Sequence, residues 1–162
     1  IGSLLDRYPN LEEVWLDEPL LSSELAEQLP LLPKCLSALQ AEFFGLTFGI
    51  HCCNQAPWTD LLAIDAFDVL HVDIWNYGDE VIEALSDPRA IPRELVLGVV
   101  PSRGKLPAIQ DLQAAVERVQ AEASEDWQIH RISTSCGLGA ESTDDGLRRM
   151  KQLHRLRDTL NK

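Results

Sequence analysis

The chain has 162 residues, of which 45% are hydrophobic and 25% are charged, and its formal net charge is -12. This length and composition indicate one globular domain spanning residues 1–162. The negative charge argues against a nucleic-acid partner, because binding to a phosphate backbone depends on clustered Lys and Arg. No apolar run approaches the roughly 20 residues that span a bilayer, and no basic-then-apolar leader is recognisable, so we expect a cytoplasmic location without a membrane partner.

Five short segments of the chain are rich in β-branched and large apolar residues and read as strands. Few polar residues interrupt them, which is typical of parallel strands that are covered on both faces. The predicted strands span residues 13–17, 46–51, 67–73, 95–100 and 128–133.

Helical patterns alternate with the predicted strands, and together they predict an α/β protein with a parallel sheet. The predicted helices span residues 22–29, 33–44, 58–64, 78–85, 109–123 and 144–162. In the clearest of them, four apolar residues share one face of the helix, namely Ile109, Leu112, Val116 and Val119.

The length of the chain limits which α/β architecture it can form alone. Each strand-and-helix unit takes about 30 residues, so the chain holds about five units. A complete (βα)8 barrel needs about 250 residues. The pattern therefore fits either an open sheet or part of a barrel. Since the chain begins at Ile1 rather than Met, we expect it to be a fragment of a longer chain.

Metal-binding residue types gather where three of the predicted strands end. Side chains two apart in an extended segment point the same way, so His51 and Cys53 can reach one point while Cys52 faces elsewhere. Asp73 and Cys136 follow two further strands. Nitrogen, sulfur and carboxylate ligands in this combination suit Zn2+. Two thiolates and a carboxylate would leave the site anionic, which keeps a zinc-bound thiolate nucleophilic.

These residues also have plainer interpretations. A buried Cys is commonly a small apolar residue of the core, and we expect this role for Cys35 in its predicted helix. Asp17 suits a capping or turn residue, and Asp73 suits an Asx turn at the end of a strand. An H-x-C pattern alone is a weak signal for zinc.

Five motifs resemble those of one family. Residues 14–19 read V-W-L-D-E-P and resemble the I-D-E-P segment of cobalamin-independent methionine synthase, and residues 50–53 resemble its H-x-C segment. Residues 68–73 resemble its D-V-I-S-I-E strand. Residues 98–100 are similar to its G-V-V/Y-D stretch, and residues 135–138 to its P-D-C-G-L segment. The likeness extends to the barrel superfamily that includes uroporphyrinogen decarboxylase and corrinoid-linked thiol methyltransferases.

The resemblance implies a partial (βα)8 TIM barrel made of strands four to eight, with methyltransferase activity on a thiol, homocysteine in this family. The zinc ligands of the family are His, Cys, Glu and Cys, and by motif they fall on His51, Cys53, Asp73 and Cys136. Asp17 matches the acidic residue that holds the amino group of homocysteine. Asp in place of Glu shortens one ligand by a methylene, and zinc accepts either carboxylate.

The chain departs from the family in two respects. Residues 101–103 read P-S-R where the family has D-x-H, whose His is assigned the protonation of the leaving folate. Because Arg is a poor general acid near neutral pH, a corrinoid protein or another methyl donor is favoured over folate. The family's first strands are also missing, and an open sheet has unpaired edges. We therefore expect an inactive piece that pairs with another copy or with the N-terminal half-barrel.

The sequence leaves two alternatives to a methyltransferase. A non-catalytic half-barrel would keep the metal site as a binding or assembly unit. A decarboxylase of the uroporphyrinogen type would need an Arg-rich cleft for its substrate's many carboxylates, and this acidic chain does not favour one.

Overall fold

The computed structural model describes residues 2–17, 29–52 and 55–161, with the backbone alone described for residues 3–5 and 130. Its strands are β1 (Glu13–Asp17), β2 (Thr47–His51), β3 (Val69–Val72), β4 (Glu94–Val100) and β5 (Gln128–Thr134). Its helices are α1 (Gly2–Arg7), α2 (Leu32–Glu42), α3 (Trp58–Leu62), α4 (Ile74–Leu85), α5 (Ile109–Glu122) and α6 (Thr143–Leu160). The five predicted strands and the α/β class are thus confirmed.

The five strands form one parallel sheet in the order β1-β2-β3-β4-β5. Crossovers between parallel strands are almost always right-handed, so a sheet whose strand order never reverses carries its connecting helices on one face. We call this the helix face and the opposite side the open face. The order differs from that of a doubly wound sheet, in which the strand order reverses and helices cover both sides.

The hydrophobic core lies between the sheet and the helices. Alternate side chains of the central strands enter it, including Phe48, Ile50, Leu70 and Leu97. The helices contribute residues that are almost fully buried, including Leu61, Val81, Leu112, Val116, Val119 and Leu156. The predicted apolar face of α5 is therefore confirmed at three positions, whereas Ile109 is only partly buried. Truncation of one of these buried Leu side chains to Ala is expected to cost about 2–5 kcal/mol.

Some predicted elements differ from the observed ones. The sequence places the start of a helix at residue 78, but α4 begins at Ile74, because the Asp73 side chain caps the first turn by accepting a hydrogen bond from Asn76 N at 3.0 Å. Non-helical backbone at Tyr77 interrupts the pattern on which the prediction rested. Cys35 is exposed rather than packed in the core. Nearly all of the predicted helix 22–29 lies outside the described residues.

The sheet is strongly curved towards its open face. In a flat sheet, four spacings of about 4.8 Å would separate β1 from β5, which is about 19 Å. Yet Arg131 of β5 donates to Glu13 of β1, with 2.9 Å between Nη1 and Oε1. Its Nε also donates to Glu94 Oε1 of β4 at 2.5 Å. The open face is therefore a concave surface that these side chains span near the amino ends of the strands.

Two glycines make room for aromatic rings on the open face. A Cβ at Gly49 would lie 2.6 Å from Cε3 of Trp15, and a Cβ at Gly98 would lie 2.6 Å from Cε1 of His71. Each ring therefore lies over the backbone of the neighbouring strand. None of the helices in the described parts of the chain combines the length and the apolar character needed to cross a membrane.

Candidate functional site

The carboxyl ends of the first three strands carry a row of polar side chains. In the sheet register, Asp17 of β1 is opposite His51 of β2, and His51 is opposite His71 of β3. Parallel pairing in register thus places one carboxylate and two imidazoles side by side at the edge where α/β proteins carry their functional groups. Cys136 follows two residues after the end of β5.

Asp17, His51 and Cys136 line one cleft on the open face, which we call the main cleft. Its volume is about 670 Å³, within the range of about 300–1,000 Å³ that is usual for small-molecule sites. Its walls also include Trp15 and Arg131. The positive charge of Arg131 is already matched by two glutamates, so the cleft is not built for an anion at that point.

Asp73 lies in a second cleft of about 400 Å³, which it lines with Trp75, Ser102 and Cys136. Cys136 therefore borders both clefts. Asp73 is almost fully buried, and its carboxylate accepts two hydrogen bonds from Asn76, at 3.0 Å from N to Oδ1 and 2.7 Å from Nδ2 to Oδ2. Burial raises the pKa of Asp73, and the hydrogen bonds from Asn76 oppose that shift.

The predicted metal ligands are thus only partly brought together. Cys53 lies outside the described residues. Within residues 2–17, 29–52 and 55–161, no group of three or more His, Cys, Asp or Glu side chains is arranged to hold a metal ion. Asp73 acts as the N-terminal cap of α4, where the sequence suggested an Asx turn at the end of the strand. Cys52 is buried among the core residues of the helix face, so it does face away from the cleft, as predicted.

His71 is the residue of this site that the sequence reasoning missed. Its Nδ1 lies 2.8 Å from Nδ1 of His51, and its Nε2 lies 2.6 Å from Ser133 Oγ and 3.1 Å from the Thr134 carbonyl oxygen. The two imidazole rings meet nearly edge to face, at 69° and 4.3 Å between centroids. The signal was present in the sequence, because His71 stands two residues before Asp73 in an extended segment.

Both histidines of the row are held neutral near pH 7. Burial, and then the neighbouring His51 ring, lower the pKa of His71 to about 4. Burial also lowers the pKa of His51, and the negative charges of Asp17 and Asp73 oppose the shift. A neutral imidazole keeps one nitrogen lone pair, so each ring can accept a hydrogen bond or bind a metal ion.

The backbone around Cys136 is fixed by its neighbours. Thr134 Oγ1 donates to the carbonyl oxygen of Cys136 at 2.8 Å. Ser135 Oγ accepts from the backbone N–H of Ser102 at 3.0 Å and so ties the end of β5 to the end of β4. Arg149 of α6, also buried, donates to the carbonyl oxygens of Pro101 and Gly104 at 2.6 and 2.8 Å. The loop beside the second cleft is therefore held at both ends.

The chain was compared with known proteins. It matches no protein-family model, and no curated protein matches it at a significant level. Its function must therefore be inferred from the site itself.

Proposed function

We propose that the chain is half of a (βα)8 barrel, and that its parent protein is a zinc-dependent cytoplasmic methyltransferase that methylates a thiol, homocysteine being the thiol that the family resemblance implies. The observation that carries this proposal is the row at the carboxyl ends of the strands. Asp17 and His51 are 4.0 Å apart, from Oδ1 to Nε2, and Cys136 lines the same cleft.

The partial barrel is supported by strand order and curvature. In an eight-stranded barrel, strands four apart in sequence face each other across an interior that is filled by side chains. β1 and β5 are four apart, and the bond from Arg131 to Glu13 crosses the open face between them. Val96, which is 7% exposed, is also buried on this face.

The donor types of the site fit zinc. His51 offers a neutral imidazole, Cys136 a thiol, and Asp73 a buried carboxylate whose charge is costly without a nearby cation. Cys53 stands two residues from His51 and would be the fourth ligand. When bound, zinc would act as a Lewis acid that keeps the substrate sulfur as a thiolate.

The chain's own residues would bind and orient the substrate. The Asp17 side chain is 74% exposed at the rim of the main cleft, where it is placed to accept hydrogen bonds from a cationic amino group. The Trp15 ring forms part of the wall of this cleft. Arg103 is exposed at the position of the family's general acid, so we propose a methyl donor other than folate, such as a corrinoid protein.

The missing strands would come from another copy of the chain or from the N-terminal half-barrel. β1 and β5 each have a strand partner on one side only within the described sheet, and such edges tend to recruit another strand. Leu147 and Met150 of α6 are large apolar residues that are 53% and 42% exposed. A monodisperse monomer in light scattering would contradict this part of the proposal.

The first test is metal content after purification under reducing conditions. We expect about one zinc per chain in the wild type, because a structural or catalytic zinc site binds a single ion through four ligands. Cys136→Ser should lose it, whereas Cys35→Ser, which removes an exposed thiol of α2, should not. Equal zinc content in the two variants would overturn the assignment of Cys136.

The second test separates a methyltransferase from a non-catalytic metal module. Co2+ would replace zinc, and its visible and near-ultraviolet spectrum would be followed while homocysteine is added. A spectral change on addition of homocysteine is the expected result, because the substrate sulfur would enter the coordination sphere. A metal-loaded chain whose spectrum does not respond would favour the assembly module.

A further inference from the structure

The main cleft combines one exposed carboxylate with an apolar wall. Asp17 and Trp15 stand two positions apart in β1, so their side chains point to the same face of the sheet. Both line the main cleft, together with Val96 of β4 and Ile132 of β5. At about 3.3 Å per residue, about 7 Å of strand separates Asp17 from Trp15. A ligand that reaches both therefore has a polar head and an apolar body about that far apart.

The apolar wall is held rigidly by its neighbours. Trp15 Nε1 donates to Glu13 Oε2 at 3.0 Å, and the Arg131 guanidinium is 5.7 Å from the ring centroid. The ring lies over Gly49, where a Cβ would be 2.6 Å from its Cε3. Trp15 is nevertheless 36% exposed. An apolar group can therefore cover the exposed part of the ring with little further loss of side-chain entropy.

The two arginines that line the cleft are already matched by carboxylates. Arg131 is shared by Glu13 and Glu94, at 2.9 and 2.5 Å, so this cluster keeps an excess of negative charge. Arg157 Nη2 lies 2.7 Å from Asp158 Oδ1. Each guanidinium could receive a ligand carboxylate only beside a carboxylate that it already contacts. Because like charges that lie close together oppose binding, the cleft disfavours an anionic ligand group.

The Asp17 carboxylate, in contrast, is open to a cation. Its side chain is 74% exposed, and Oδ1 lies 4.0 Å from His51 Nε2, which is longer than a hydrogen bond. Among the described side chains that line the cleft, Asp17 is thus the charged group without an opposite charge in hydrogen-bond contact. A primary ammonium group would supply that charge and donate charge-assisted hydrogen bonds.

We propose that the main cleft selects a primary amine with an apolar body over the corresponding amino acid, with Asp17 binding the ammonium group and Trp15 and Val96 contacting the body. That a thiol of this class is the methyl acceptor rests on the proposed function, whereas the selectivity for an amine does not. Homocysteine carries a carboxylate beside its ammonium group. It should therefore bind more weakly than 3-aminopropane-1-thiol, which lacks only that carboxylate.

The first experiment compares matched ligands by NMR titration of the 162-residue chain, near neutral pH and with a chelator present. The ligands are 3-phenylpropylamine, homophenylalanine, which adds a carboxylate, and 3-phenylpropan-1-ol, which has a hydroxyl in place of the ammonium group. We expect the amine to bind at least about tenfold more tightly than either of the others. Propylamine, which lacks the ring, should also bind more weakly. Homophenylalanine or the alcohol binding as tightly as the amine would overturn the proposal.

The second experiment places the ligand in the cleft. Asp17→Asn should lower the affinity for 3-phenylpropylamine by about tenfold and leave that for the alcohol unchanged. Glu125→Gln, at an exposed turn, is the charge-matched control and should bind the amine as the wild type does. The indole N–H signal of Trp15 should shift on binding, whereas that of Trp75, in the second cleft, should not. A shift of Trp75 without one of Trp15 would contradict the assigned site.

The outcomes separate this inference from the proposed function. If the chain binds no zinc, the proposed function fails, and the ligand comparison, made with a chelator, still decides the selectivity for an amine. If the chain binds zinc and homophenylalanine binds as tightly as 3-phenylpropylamine, the selectivity fails while the zinc site stands. Should Asp17→Asn not fold, the ligand comparison on the wild type and the Trp15 signal decide the matter.

Discussion

Arg131 of β5 donates to Glu13 of β1 with 2.9 Å between Nη1 and Oε1, although these strands form the two edges of the sheet. The Arg131 guanidinium also lies over the Trp15 ring, at 5.7 Å from its centroid, and Trp15 Nε1 donates to Glu13 at 3.0 Å. One side chain thus joins the outer strands and also lines the main cleft.

The first prediction concerns this cluster. Arg131→Met leaves Glu13 and Glu94 as carboxylates without their shared cation, and we expect the free energy of unfolding to fall by about 2 kcal/mol, between the values for exposed and buried ion pairs. Urea unfolding measures the change. Arg89→Met breaks only surface ion pairs and should lower the free energy of unfolding by less than about 0.5 kcal/mol. An equal fall in the free energy of unfolding in the two variants would mean that the bond across the open face does not stabilise the fold.

The second prediction is a pH dependence of stability. The pKa of His71 is lowered by burial and then by His51, from 6.5 to about 4. Between these values the unfolded chain binds the proton more readily than the folded chain. The free energy of unfolding should therefore fall as the pH drops from about 6.5 to about 4, by up to about 3 kcal/mol for this group.

Urea unfolding in a chelator buffer, repeated across that range, measures the effect. His71→Asn should flatten the dependence, whereas His154→Asn, at an exposed position, should keep the wild-type slope. The slope of His71→Asn will not vanish, since burial lowers the pKa of His51 as well. A slope unchanged by His71→Asn would show that His71 is protonated as readily in the folded chain as in the unfolded one.

The third prediction compares two glycines. A Cβ at Gly98 would lie 2.6 Å from His71 Cε1 and 3.0 Å from the Cα of Ser135. Gly98→Ala should therefore destabilise the fold by about 1–3 kcal/mol and displace the His71 ring. In α6, a Cβ at Gly146 would meet nothing within 4 Å. Gly146→Ala should therefore stabilise the fold by about 0.5–1 kcal/mol, because Ala is more favourable than Gly inside a helix. Thermal unfolding gives both values, and two changes of the same sign would contradict the assigned contacts.

The fourth prediction separates substrate binding from metal binding. Asp17→Asn removes the carboxylate proposed to hold the amino group, so homocysteine affinity of the metal-loaded chain should fall by about tenfold or more. Zinc affinity should stay within about threefold of the wild type. Glu125→Gln, at an exposed turn after α5, is the charge-matched control. A parallel loss of zinc affinity would identify Asp17 as a metal ligand instead.

Much of the fold could be predicted because the strands are apolar runs separated by amphipathic helices. The apolar face of α5 and the burial of Cys52 on the helix face of the sheet both follow from the spacing of residues along the chain. The start of α4 did not, because it depends on the hydrogen bonds of one cap at Asp73. α1 was not predicted at all, since six residues are too few for a periodic pattern.

The candidate site was predictable only as a set of residue types. His51 and Asp17 stand at strand ends, where parallel sheets carry their functional groups. The contact between His71 and His51 depends on the sheet register. This register places the two side chains next to each other although they are twenty positions apart in the sequence. The contact between Arg131 and Glu13 depends on curvature, and no local pattern contains that information. Proximity across the sheet is therefore what the sequence did not reveal.

The bond between Glu13 and Arg131 has a consequence for how the chain is made. The two residues are 118 positions apart, so β1 leaves the ribosome long before its partner does. Contacts of such wide separation form late and slow the folding of a domain. Throughout that interval Glu13 and Trp15 lack the guanidinium that contacts both of them, so this contact cannot stabilise β1 while the rest of the chain is being made.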